Sequence, residues 1–253
     1  MMPESQTMIT IDFWNTLVQA ETGGSDRREV RLRALRRVAR KYQQTLPPEK
    51  IDEAKRKASK EFDKIWLNEH RTPTTSELVD NILAHLELPA TKAERASLVE
   101  EFEESLWEGP PRLADNAGEV IAELAKRYPV GLISDTMYSP GRVLRKYLEN
   151  HGLINYFSGF VFSDETGYSK PHPDAFRQLL DKSGSRAEHS WHVGDLVKTD
   201  IRGAKGLGMK AILFTGYSDG TYTYNEEDDM DAEKKAEPDH VCRNWNEVAD
   251  ILL

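Results

Sequence analysis

The stretch "TMITIDFWNTL" (residues 7–17) puts a short apolar run, Met8, Ile9 and Ile11, ahead of a carboxylate, Asp12, and reads as a buried strand. What constrains the fold is where that strand stands. From Ser25 to about Trp107 the apolar residues recur almost wholly at helical spacing, and strand-like runs return only after Pro110 and Pro111. One strand cannot stand alone in a helical bundle, so it must join the later strands. The helical block is then an insertion behind it.

Within that block, "SDRREVRLRALRRVARKYQQ" opens with a candidate cap at Ser25 and sets Leu32, Leu35, Val38, Ala39 and Tyr42 on one face. A second helix starts at the prolines of "PPEKIDEAKRKASKEF", a third near "TTSELVDNILAHL" and a fourth near "TKAERASLVEEFEESLW". Phe62, Ile65, Trp66 and Phe102 read as the core of this bundle. Beyond the prolines, "YPVGLISD", "GFVFSD", "SWHVGD" and "KAILFTG" alternate with helical stretches. That alternation predicts an α/β fold: a doubly wound, Rossmann-like parallel sheet core carrying an inserted α-helical bundle cap domain. The expected division is a discontinuous core, residues 1–18 and 113–253, and a cap over residues 19–112.

A net charge of -9 argues against nucleic acid or an anionic membrane as partner, since both favour a basic face. It does not bear on a small anionic substrate, which meets only the local field of a pocket. The single Cys242 excludes an internal disulfide and suits a reducing compartment. No apolar run approaches a membrane span, and "MMPESQT" lacks the pattern of a signal peptide, so a cytoplasmic protein is expected. Oligomeric state is open. The acidic "NEEDDMDAEKK" reads as a solvated loop, and "GAKGLG" lacks the spacing of a dinucleotide fingerprint.

The predicted strand ends carry Asp12, Ser134 with Asp135, Ser163 with Asp164, and Asp195. Ligands of open parallel sheets bind beyond the carboxyl ends of the strands, which places these groups around one crevice. Asp12, Asp195 and Asp200 would repel one another there unless a cation neutralised them. Magnesium suits oxygen ligands and phosphate. Lys170, in "YSKPHPDAF", can bind an anion as a point charge, and Ser134 can offer a hydroxyl. These are the parts of phosphoryl transfer through an aspartyl-phosphate.

The chain resembles the haloacid dehalogenase superfamily of hydrolases, in its branch with a helical cap after the first strand. Four motifs carry the resemblance in order: "DFWNTL", "LISD", "SKPHPDAF" and "VGDLVKTDIRGAKGLGM". It implies Asp12 as nucleophile and magnesium ligand, with the Trp14 carbonyl and Asp195 as further ligands and Asp200 helping through a direct or water-mediated contact. Ser134 and Lys170 would hold the transferring group. Asp135 stands beside them as a substrate-binding candidate, and Thr16 either orients the loop after the nucleophile or is an ordinary turn hydroxyl.

Trp14 departs from the family's phosphatases, which usually carry an Asp there to protonate the leaving alcohol. Such a group is worth roughly a hundred- to ten-thousand-fold. Three readings stay open: a magnesium-dependent phosphatase acting on a small phosphorylated metabolite, a metal-independent 2-haloacid dehalogenase forming an ester on Asp12, or a binding protein with little or no catalysis. The dehalogenase reading explains Trp14, since halide needs no proton, but leaves Asp195 unexplained. On the cap, Arg27, Arg31 and their basic neighbours are either a solvated face balancing "EEFEES" or reach an anionic substrate. Arg71 is a substrate-binding candidate, His70 a candidate proton donor, and His172 and His192 read as packing or supporting groups.

Overall fold

The computed structural model describes residues 7–221 and 236–253; the acidic stretch 225–235 lies outside them. Strand β1 (Ile9–Asp12) is buried along its whole length. The chain leaves it through β2 (Val18–Gln19), passes through helices α1 (Gly24–Lys41), α2 (Pro48–Glu69), α3 (Thr75–His85) and α4 (Lys92–Glu104), and returns through β3 (Arg112–Leu113). Strands and helices then alternate as α5 (Ala117–Ala125), β4 (Val130–Ser134), α6 (Gly141–Asn150), β5 (Gly159–Phe162), α7 (Ser163–Thr166) and α8 (Asp174–Ser183). The remainder comprises β6 (Trp191–Gly194), α9 (Arg202–Gly206), β7 (Lys210–Phe214), β8 (His240–Cys242) and a C-terminal helix α10 (Trp245–Leu252).

Six strands form one parallel sheet in the order β5-β4-β1-β6-β7-β8. The α/β class and parallel sheet expected from the sequence are therefore present. Side chains of β1 alternate between two apolar layers. Ile9 and Ile11 pack with Ile121 of α5, Leu144 of α6 and Trp245 of α10, while the preceding Met8 packs with Phe176 and Leu179 of α8 on the other face. Cover on both faces explains why the strand reads as a run of apolar residues. In register, Asp12 lies opposite Ile133 of β4 and Ile11 opposite Val193 of β6, so all three strands end at one edge.

The four helices between β2 and β3 enclose their own apolar cluster, including Leu35, Val38, Ile51, Ile82, Leu98 and Phe102. Two of them start with a reciprocal cap: Thr74 with Glu77, and Thr91 with Glu94. Ser25, the expected cap of α1, is instead inside the helix. The helix starts from Gly23, whose φ of 68° and contact with the Gly109 backbone leave no room for a Cβ. There the outgoing and returning chains touch. Arg27 fastens them, donating to the carbonyls of Ala20, Thr22 and Gly109, and β2 pairs antiparallel with β3 beside it.

A second correction concerns α2. Phe102 joins the bundle core as expected, but Phe62 and Trp66 form a separate cluster with Leu78, against Met137 and Leu196. Ile65 is only partly covered. The apolar stripe of α2 outruns the bundle, and its last turns face the carboxyl edge of the sheet.

The loop after β1 is tied to α10, because the buried Trp245 Nε1–H donates to the Thr16 carbonyl at 3.0 Å. Trp245→Phe removes the indole N–H with part of the bicyclic ring, which strands that carbonyl and leaves a small void. The expected result is a loss of about 1–3 kcal/mol in chemical denaturation with an unchanged m-value; an unchanged midpoint would mean that another donor serves the carbonyl.

Candidate active site

At the carboxyl edge of the sheet lies a cavity of about 440 Å³. Asp12, Lys170, Asp195 and Asp200 line it, and each is at least 95% buried. Their arrangement centres on the ammonium of Lys170, which hydrogen-bonds the Asp12 carboxylate and donates to Asp200 Oδ1 at 2.7 Å. The loop carrying Lys170 is itself held: its backbone N–H donates to Asp135 Oδ1 at 3.0 Å, and that of Ser169 donates to the His70 carbonyl at 2.8 Å.

Asp200 stands on the helical turn Val197–Ile201 and lies against Gly194, where any Cβ would collide with its carboxylate. All its acceptor capacity is used inside the protein. Besides Lys170, Oδ1 accepts from His192 Nε2 at 2.9 Å, and Oδ2 from the Thr199 hydroxyl at 3.0 Å and the Leu196 N–H at 3.3 Å. His192 continues the chain of bonds to the Thr10 hydroxyl on β1, 2.9 Å from Nδ1. Burial depresses the His192 pKa, so the ring is neutral; with Nε2–H donating to Asp200, Nδ1 accepts from Thr10.

The charges do not balance. Burial raises the Asp12 carboxyl well above its usual range, Asp200 and Asp195 adding to the rise against the pull of Lys170. Burial, with repulsion from Asp200, pushes Asp195 up to about 7. Burial alone would raise Asp200 too, but Lys170 and His192 outweigh it and hold it below the ordinary carboxylate value. For Lys170, burial opposes the charge, and Asp12, Asp200 and Asp135 together overcome it, leaving the ammonium held above its usual pKa. One cation thus faces several carboxylates in a place with little water.

Several expected site residues stand elsewhere. Ser134 is buried, with its hydroxyl 3.4 Å from the Asp135 carbonyl, and lies outside the lining of the cavity; Asp135 and Thr136 line it instead. Thr16 is fully buried, its hydroxyl has no partner among the described residues, and it is not part of the cavity lining. Arg71 turns outward to Glu77 at 3.2 Å, and His70 is likewise absent from the cavity wall. Asp164 caps α6 by accepting from the Gly141 N–H at 3.0 Å, which removes it from the crevice. Asp200, expected to serve a metal directly or through water, has both oxygens occupied by protein donors. Among the described residues no three His, Cys, Asp or Glu side chains gather as a metal-binding group.

Other residues enter that the spacing did not mark. Trp66 crosses from α2 to donate to Asp135 Oδ2 at 2.8 Å. Burial pushes the Asp135 carboxyl up to about 6. With Trp14, Phe62 and Tyr138, Trp66 gives the cavity an aromatic wall. Trp14 stands edge-on to Phe13, 5.0 Å between centroids, with the Arg27 guanidinium 5.8 Å from its ring. The one available signal was the aromatic spacing Phe62–Trp66 on α2, which a bundle core would share.

Comparison with known proteins bears on this arrangement. A family profile described as haloacid dehalogenase-like hydrolase matches residues 7–208, most of the chain. A glyceraldehyde 3-phosphate phosphatase from Pyrococcus furiosus is 30% identical over 142 residues, 56% of this chain and 55% of that one. The chain thus spans about half the length of this relative. Among solved structures, the fold is shared by the HAD-hydrolase YfnB from Bacillus subtilis bound to magnesium, with a TM-score of 0.64, 21% identity and 98% and 99% of the two chains covered. It is shared equally by a 2-haloacid dehalogenase from Pseudomonas syringae, with a TM-score of 0.68, 22% identity and 98% of each chain covered. From the profile match, with its motifs on the ends of β1, β4 and β6, the chain belongs to the haloacid dehalogenase-like hydrolases.

Proposed function

We propose that this chain hydrolyses a small phosphomonoester with an easily departing leaving group, in a magnesium-dependent reaction with Asp12 as nucleophile. The observation that carries the reading is the Lys170 ammonium fixed between Asp12 and Asp200 at the base of a cavity large enough for a metabolite. Asp12 Oδ attacks phosphorus, the bond from phosphorus to the leaving oxygen breaks, and the departing alkoxide or phenoxide takes up a proton. Water then cleaves the aspartyl-phosphate, which releases phosphate and restores the carboxylate. Lys170 balances Asp12 and attracts the phosphoryl oxygens, while Asp200, locked by His192 and Thr199, keeps Lys170 in place.

The donor set suits magnesium. Two buried carboxylates, Asp12 and Asp195, share the cavity with a surplus of negative charge, and Trp14, which lines the same cavity, would offer its main-chain carbonyl as a third hard oxygen donor. Magnesium usually takes one or two carboxylates and fills its other positions with water and phosphate, so Asp200 is not needed as a direct ligand. Bound there, the ion would offset the carboxylates and draw charge from the phosphoryl oxygens. A soluble, cytoplasmic enzyme without nucleic-acid or membrane partners fits the charge and composition. The described residues include no helix long and apolar enough to cross a membrane.

The dehalogenase reading has one observation in its favour, the apolar Trp14 in place of an acid. It leaves the carboxylate surplus at Asp195 without a purpose. One assay separates the two. Hydrolysis of p-nitrophenyl phosphate should require magnesium and stop on chelation, and 2-chloropropionate should release no halide; chelator-resistant halide release would establish the dehalogenase instead.

Two substitutions address individual roles. Asp12→Asn should fold, since Lys170 keeps Asp200 as partner, and should lower kcat by about a thousandfold or more; substantial turnover would remove Asp12 from the nucleophilic role. Trp14→Asp should raise hydrolysis of alkyl phosphates roughly tenfold more than that of aryl phosphates, because only the poor leaving group needs the proton. Equal or lower rates on both classes would show that the position is not a vacant acid slot.

A further inference from the structure

Arg31, in the second turn of α1, lines the same cavity as Asp12 and Lys170. Its guanidinium lies over the Tyr138 ring, 4.6 Å from the centroid, and Nη1 donates to the Ser105 hydroxyl at 3.0 Å. Ser105 is a neutral partner that donates onward to the Phe102 carbonyl at 2.6 Å. Some arginines of the helical block find carboxylates, as Arg37 does with Glu101 and Arg95 with Asp80; of the described arginines without such a pair, Arg27 and Arg31 are the ones that line the cavity. Among the described residues Arg31 has no such ion pair. Burial disfavours its charge and the Tyr138 hydroxyl favours it, while the cations Arg27 and Arg28 oppose it, and it acts in turn on Lys55.

A partly buried cation in a positive neighbourhood is costly unless an anion joins it. Burial lowers the Arg31 pKa to about 10, so it is charged at neutral pH. Arg27 cannot share the task, because it is bonded to three main-chain carbonyls. Arg31 has nitrogens beyond the one facing Ser105, in a planar fork already oriented by Tyr138. Its single charge suits a monoanion.

We propose that Arg31 binds a carboxylate carried by the leaving group of the substrate, and so selects phosphomonoesters with a second anionic end. This rests on the phosphatase reading for what sits at Asp12. Phosphate is then held at the sheet edge by Lys170, and the leaving group's carboxylate is held by the helical block. The apolar body between them lies along Trp14, Phe62 and Trp66.

The test compares 4-carboxyphenyl phosphate with its neutral isostere, 4-carbamoylphenyl phosphate. In the unmodified chain kcat/KM should favour the carboxylate by roughly thirtyfold, mainly through KM. Arg31→Met should collapse that ratio to within about threefold, and Arg31→Lys should give an intermediate ratio. A ratio near one in the unmodified chain, or one that survives Arg31→Met, overturns the proposal. Should Arg31→Met not fold, the unmodified chain and Arg31→Lys still decide. If neither ester is hydrolysed, the phosphatase reading fails, and calorimetric titration of the same two compounds judges Arg31 separately. Tighter binding of the carboxylate, weakened by substitution, upholds the assignment, and equal affinities refute it.

Discussion

An ammonium enclosed between two carboxylates is the interaction on which the rest of the site depends. Lys170 comes from the loop after α7, Asp12 from β1 and Asp200 from the turn after β6, so the contact exists only if the sheet is ordered correctly. Breaking a buried pair leaves an uncompensated charge at a cost of about 3–5 kcal/mol, a large share of a typical domain's stability. The network closes on itself. Asp200 is anchored through His192 to Thr10, and Thr10 stands on the same strand as Asp12. Strand register and side-chain position therefore constrain each other.

That network also separates two kinds of carboxylate that look alike in the chain. Asp200 is saturated by donors and holds its charge below the ordinary range. Asp12 and Asp195 are pushed the other way by burial and by their neighbours. Similar side chains thus stand in opposite states: Asp200 is held charged and fixes the lysine, while burial works against the charge of Asp12 and Asp195.

Strands and their order of polar ends were legible because a doubly covered strand leaves a run of apolar residues and its carboxyl end carries the chemistry. The positions of Asp12, Lys170, Asp195 and Asp200 around one cavity follow from that pattern. Local geometry was not legible. Nothing in "FSDET" distinguishes an Asp that faces a crevice from Asp164, which caps a neighbouring helix. Nor does helical spacing distinguish Phe62 and Trp66 from core residues such as Phe102, since both faces are apolar and only the length of α2 past the bundle separates them. Ser25 misled for a similar reason: Gly23 was required by a contact with Gly109, 86 positions along the chain.

Net charge illustrates the limit of whole-chain quantities. A protein with a formal charge of -9 carries, on the helical side of its cavity, Arg31 in a field of further cations. On the sheet side of the same cavity lies an excess of carboxylates around one lysine. The two sides of one cavity thus carry opposite excess charge. Aromatic side chains, Trp14, Phe62, Trp66 and Tyr138, line the same cavity. In the proposed reaction, selectivity belongs to the inserted helices and the bond-breaking chemistry to the strand ends, with Arg27 holding the two crossings of the chain together. A substrate able to reach both poles is the one that this distribution of charge favours.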